Sequence, residues 1–233
     1  MSIIFILPET LNRTQTDMTH QVKKRSVVGS YLHVFRNKLF VIYTLIGSMA
    51  YSGLMVYISN SPFLVMEKGG FTGTQYSLIF GANAVGMLIG TYAVNYLMKL
   101  LSLRQIVKYF SIVQVLIGLL LVVVVWANLP VNFMLVLIFL YLLPTGVLFP
   151  NTADAVPLSF HKDSGTASAV FGFSQLAVTF IVSAIIGLIQ GGSVTPMAMA
   201  LFCCALAALV FSIFPAAKQS VKNSMEVPNY LKV

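Results

Sequence analysis

Apolar residues arrive in long blocks along this chain. Six runs, at 38–59, 75–98, 105–127, 131–151, 165–190 and 195–215, each approach the roughly 20 residues that a helix needs to cross a bilayer. Helices are the predicted form, because unpaired backbone groups are too costly in hydrocarbon. The alternating segments of about ten residues that mark a membrane barrel do not occur in this sequence. The first run ends at SNSP, where Pro62 predicts a break. Ahead of it, residues 13–37 are polar and basic and predict a linker. The chain opens MSIIFILPETLNR, an apolar stretch too short to span and without the basic start or small-residue cleavage site of a signal peptide. Those residues predict the last turns of a longer helix. The expected division is a helix stump at 1–12, a linker at 13–37, a six-helix bundle at 38–217 and a tail at 218–233.

Composition narrows the class. Of 233 residues, 58% are hydrophobic and only 9% are charged, against about 25% charged in soluble domains. The polar surface is too small to cover such a chain in water, so a multi-span membrane protein is expected. The net charge of +8 does not point to nucleic acid, which calls for basic residues gathered on one folded face. Here they stand between the apolar runs. If the runs alternate in direction, 13 of the 14 Lys and Arg residues fall on one side and Lys68 alone on the other. By the positive-inside rule both termini, the linker and the tail are expected in the cytoplasm. Cys203 and Cys204 are adjacent in an apolar run, a poor arrangement for a disulfide or a metal site, and read as helix-packing residues.

Asp, Glu, Lys, Arg and His are not found deep in any run. Embedded carboxylates are the usual proton relays of transporters, and intramembrane hydrolysis needs an embedded nucleophile with its base or a pair of acids. No enzyme activity, cofactor or metal is therefore expected. The runs do hold uncharged polar residues at helical spacing. Ser168, Gly172, Gln175, Thr179 and Ser183 form one stripe in the fifth. Thr44, Ser48, Ser52 and Ser59 do so in the first, with Tyr51 beside them and Asn60 at the end. Tyr141, Thr145 and Phe149 step by four in the fourth, and Asn83 lies mid-way along the second. Ala82, Gly86 and Gly90 predict close helix approach. Asn83 and Gln175 are open to two readings, interhelical glue or the lining of a cavity. The third and sixth runs are apolar around most of their circumference. They predict helices facing lipid, in a three-plus-three bundle whose third members stay peripheral.

The segments MAYSGLMVYISNSPFLVMEKGGFTGTQYSLIFGANAVGMLIGTYAVN, PTGVLFPNTADAV and SGTASAVFGFSQL carry a family likeness. Together they resemble the carboxy-terminal half of bicyclomycin-resistance-type (Bcr/CflA) drug/proton antiporters of the major facilitator superfamily, over about residues 1–215. The resemblance implies an all-α membrane protein whose six transmembrane helices form one half, a 3+3 repeat, of a major facilitator fold. It makes IIFILPETL the end of a sixth helix, and the runs here helices seven to twelve of a bacterial inner-membrane protein. Residues 100–104, LLSLR, occupy the place of a basic loop between helices but lack an acidic residue. The family keeps its embedded carboxylates in the amino half, so proton coupling is implied by resemblance and not by a group of these 233 residues.

Two functions follow. In the first, the chain lines part of a path for small, largely apolar, drug-like compounds, with an amino-terminal half or a second copy as its partner. Tyr51, Phe63, Asn83, Tyr141, Phe171 and Gln175 would then bind substrate by aromatic contact and a few hydrogen bonds. In the second, it is a truncated remnant that inserts among membrane lipids and moves nothing.

Overall fold

The computed structural model describes residues 34–158, 164–189 and 192–213, and every regular element among them is helical. The elements are α1 (Lys38–Pro62), a π-helical continuation (Phe63–Lys68), α2 (Gly73–Leu97), α3 (Leu103–Trp126), α4 (Val131–Leu158), α5 (Ser164–Ile189) and α6 (Thr195–Ile213). Six helical segments are long and apolar enough to cross a membrane. The chain is an all-α, multi-pass membrane protein, consistent with half a major facilitator fold. The expected stump at 1–12, most of the linker, the tail and the loop holding Lys162 lie outside the described residues.

Helix starts follow from local chemistry. Asn37 Oδ1 accepts the free N–H groups of Leu39 and Phe40 at 3.0 and 3.4 Å, which caps α1. Thr72 and Gln75 exchange hydrogen bonds in a capping box at the start of α2. Gln105 accepts from the Ser102 N–H at 3.0 Å, and Ser193 Oγ from the Thr195 N–H at 3.2 Å, at the starts of α3 and α6.

Pro62 does not break the first span. A proline there removes the N–H that would bond the Ile58 carbonyl. The Ser61 hydroxyl takes that carbonyl at 3.0 Å instead, and the chain widens into π geometry, with Gly69 N–H bonding Leu64 O at 3.1 Å. The span therefore runs on to Lys68.

α1 and α4 are the most enclosed spans, while α2 and α5 bury the least of themselves. α1 packs on α4, α5 and α6, and α4 packs on α1, α2 and α3. In lipid the hydrophobic effect gives helices little reason to associate, so backbone proximity and polar contacts must hold them. Both are present. Gly90 sits against the Leu143 carbonyl and Gly146 against that of Met87, which brings α2 and α4 into backbone contact. Across the same contact Thr91 Oγ1 donates to Gly146 O at 2.9 Å. Gly86 and Gly90 do face the neighbouring helix as expected, but Ala82 is exposed and Asn83 takes the buried position beside it.

The third and sixth spans are not separate outer members. α3 and α6 pack extensively on each other, with Gly118 close to the Phe202 backbone, and α6 also packs along α1, with Ala198, Leu201, Ala205 and Ala208 buried. Nor is α3 purely apolar inside. Ser111 and Gln114 are buried in it, and Gln114 Nε2 donates to Thr145 Oγ1 of α4 at 2.8 Å.

Candidate functional site

The polar residues of α1 stack at intervals of four, so Thr44, Ser48 and Ser52 form a ladder of buried hydroxyls. Ser52 Oγ donates to the Ser48 carbonyl at 2.7 Å, which uses its one proton. Thr179 Oγ1 of α5, 3.1 Å away, must then be the donor to Ser52 Oγ. Lower on the ladder, Thr44 Oγ1 and Ser48 Oγ are buried with no hydrogen-bond partner. A buried hydroxyl left unpaired costs about 1–3 kcal/mol. Two on one face leave hydrogen-bonding capacity open along the seam.

α5 supplies the other wall. Phe171 and Thr179 are buried on it, and Gln175 lies one turn before Thr179, 7% exposed and without a hydrogen bond to any described residue. Where α1, α4 and α5 converge, Gly47 leaves room for Thr152 Oγ1 and the Phe171 ring; a Cβ there would stand 2.5 Å from the first and 3.3 Å from the second. At the far end of α1, Asn60 Nδ2 donates to Val56 O at 2.7 Å, while its buried Oδ1 has no partner.

The six residues singled out from sequence lie in five different places. Phe171 and Gln175 lie on the α1–α5 seam. Tyr51 stands beside Phe149 of α4, ring centroids 5.3 Å apart and tilted by 33°. The others lie elsewhere. Asn83 donates to the Tyr57 hydroxyl at 2.6 Å, and Tyr57, five residues beyond Ser52, points about 140° away around α1. Tyr141 is enclosed in the core between α1 and α6, donating to Leu201 O at 2.9 Å behind Gly53. Phe63, in the π-helical segment, packs on the Leu64 cluster.

Sequence reading did not anticipate the Gln114–Thr145 bond or Tyr57 as partner of Asn83. The available signal was a lone large amide in an apolar span, which must find a partner in hydrocarbon. An open groove of about 590 Å³ between α5 and α6 is lined by apolar residues including Ile185, Met199 and Cys203, and contains none of the six. Cys203 is thus exposed, and only Cys204 is the buried packing residue expected of both. Among the described residues, no three His, Cys, Asp or Glu are grouped to hold a metal.

The fold and the polar seam define a helical, multi-pass membrane protein with uncharged polarity between its spans. No protein-family model matches the chain. It is similar to YdgK of Bacillus subtilis (strain 168), described as an uncharacterized MFS-type transporter, with 21% identity over 175 residues. The match covers 75% of this chain and 42% of that protein, so the chain spans less than half the length of its relative.

Proposed function

We propose that these residues form the carboxy-terminal half of a drug/proton antiporter of the bicyclomycin-resistance type, in the bacterial inner membrane, exporting small, largely apolar compounds. A second six-helix half, on the same polypeptide or another, completes it. The observation that carries this reading is the α1–α5 seam, whose buried hydroxyls lack partners at Thr44 and Ser48 and which holds Gln175 without a hydrogen bond to any described residue. Ser111 Oγ and Gln114 Oε1 in α3 are unpaired as well, but the α1–α5 seam sets its open hydroxyls beside an unbonded amide and an aromatic pair. Phe171 and Gln175 would meet the substrate directly, with Tyr51 and Phe149 as an aromatic wall. Asn83, Tyr141 and Phe63 would shape the helices that carry those groups. The described spans hold no carboxylate deep in the bundle, Asp154 being exposed near the end of α4. Proton exchange is accordingly assigned to the partner half, and transport to rocking of one half against the other about a midplane site.

Efflux of a fluorescent drug from cells stripped of their own pumps tests this. Residues 1–233 alone should give none, and co-expression with an amino-terminal half of the same family should give efflux that an uncoupler stops. Strong uncoupler-sensitive efflux from the chain alone would overturn the half-transporter reading. Absence of efflux in both conditions would favour the non-transporting remnant.

A further inference from the structure

A second, smaller cavity of about 70 Å³ opens where α1 and α5 diverge beyond the hydroxyl ladder, lined by Val56, Ser59, Asn60, Ser183, Ile186 and Gly187. Its polar groups have a definite sense. The Asn60 side chain is 3% exposed, and its amide is oriented by the bond that one Nδ2 hydrogen makes to Val56 O. Its Oδ1 remains, buried and unpartnered. The unmet demand at Oδ1 is thus for a hydrogen-bond donor, while the second Nδ2 hydrogen and the Ser59 and Ser183 hydroxyls add further polar groups beside it. None of the six lining residues is ionisable, so nothing here favours an anion or supplies a counter-charge. The space suits a single small group. Ile186 also borders the apolar groove between α5 and α6, which places an apolar surface next to the polar one.

We propose that the Ser59–Asn60–Ser183 pocket is a subsite for one hydrogen-bond-donating group, a hydroxyl or an amine N–H, on an otherwise apolar compound. This rests on the transport reading above and sharpens its substrate class. The compounds carried would hold a donor at one end of an apolar body, and Asn60 would select for that donor. A site built to bond a donor rejects the analogue that lacks it, because its buried oxygen is then left unpaired.

The test is binding of three naphthalene probes to the full chain in lipid nanodiscs, with empty discs subtracted. The probes are naphthylmethylamine, naphthylmethanol and the methyl ether of the alcohol, which has no donor. The amine, the alcohol or both should bind roughly tenfold more tightly than the ether, the size of one hydrogen bond to a buried acceptor. The order of amine and alcohol assigns the donor. Asn60→Leu should remove the preference, and Ser183→Ala, a smaller change, should weaken it. Equal binding of all three probes, binding of none, or a preference that survives Asn60→Leu would overturn the proposal and leave a pocket that holds water. A donor preference in a chain that supports no efflux with its partner half would overturn the transport reading while this subsite stood.

Discussion

Ser52 and Thr179 illustrate how few groups hold α5 to α1. One hydroxyl proton goes to the Ser48 carbonyl and another crosses the seam, and the remaining oxygens of the ladder stay open. Gln175 and Tyr141 look alike in sequence, each a polar group in an apolar span, but their surroundings separate them. Tyr141 spends its proton on Leu201 O inside the core, whereas Gln175 makes no hydrogen bond to any described residue. Interhelical hydrogen bonds in membranes average about 0.6 kcal/mol. Tyr141→Phe should therefore lower stability by about that amount, measured by unfolding in mixed micelles, and leave drug efflux by the assembled transporter close to normal. Gln175→Leu should do the reverse, sparing stability and reducing efflux. A stability loss at Gln175→Leu as large as that at Tyr141→Phe would make Gln175 a packing residue.

Helix contacts are set by what a backbone can approach. Gly90 and Gly146 put α2 and α4 so close that a side chain at either meets a carbonyl of the other helix. Gly90→Leu should cost about 1–3 kcal/mol by overpacking, or prevent a folded bundle altogether, as judged by unfolding and by monodispersity in detergent. Gly81→Ala in the same helix meets open space and should be neutral. The number and approximate places of the six spans were legible in the sequence, because the length of an apolar run is a direct physical requirement for crossing lipid. The first, however, runs past its expected end to Lys68. Which faces turn inward was harder to read. In a bilayer the outside of a bundle is as apolar as its core, so α3 and α6 gave no period from which to infer their mutual packing. The hydroxyl ladder was legible where polar residues recurred every four positions, as in Thr44, Ser48 and Ser52. Isolated groups such as Gln114 and Tyr57 carried no such repeat, and the bonds they make join residues far apart in sequence. At Pro62 a break was expected, yet Ser61 takes up the freed carbonyl one residue earlier and the span continues.

At the scale of the molecule, the uneven distribution of basic residues predicts an orientation. A reporter fused after Lys232 should be active only in the cytoplasm, and one inserted between Gly69 and Gly70 only outside it. Periplasmic activity at the tail would reverse the topology and remove the family reading with it. The central claim is that the α1–α5 seam meets water and substrate while the remaining surface of α5 meets lipid or the partner half. It is tested most directly by thiol accessibility in membranes containing the complete assembly. Cysteine is introduced singly as Gln175→Cys or Leu176→Cys in a chain carrying Cys203→Ser and Cys204→Ala, and treated with a water-soluble thiol reagent. In the bundle alone Leu176 is 63% exposed and Gln175 only 7% exposed, so bare geometric exposure favours reaction at 176. The account predicts the opposite: rapid modification at 175, slowed by a transported drug, and none at 176. Protection at 175 under every condition, or faster reaction at 176, would contradict it.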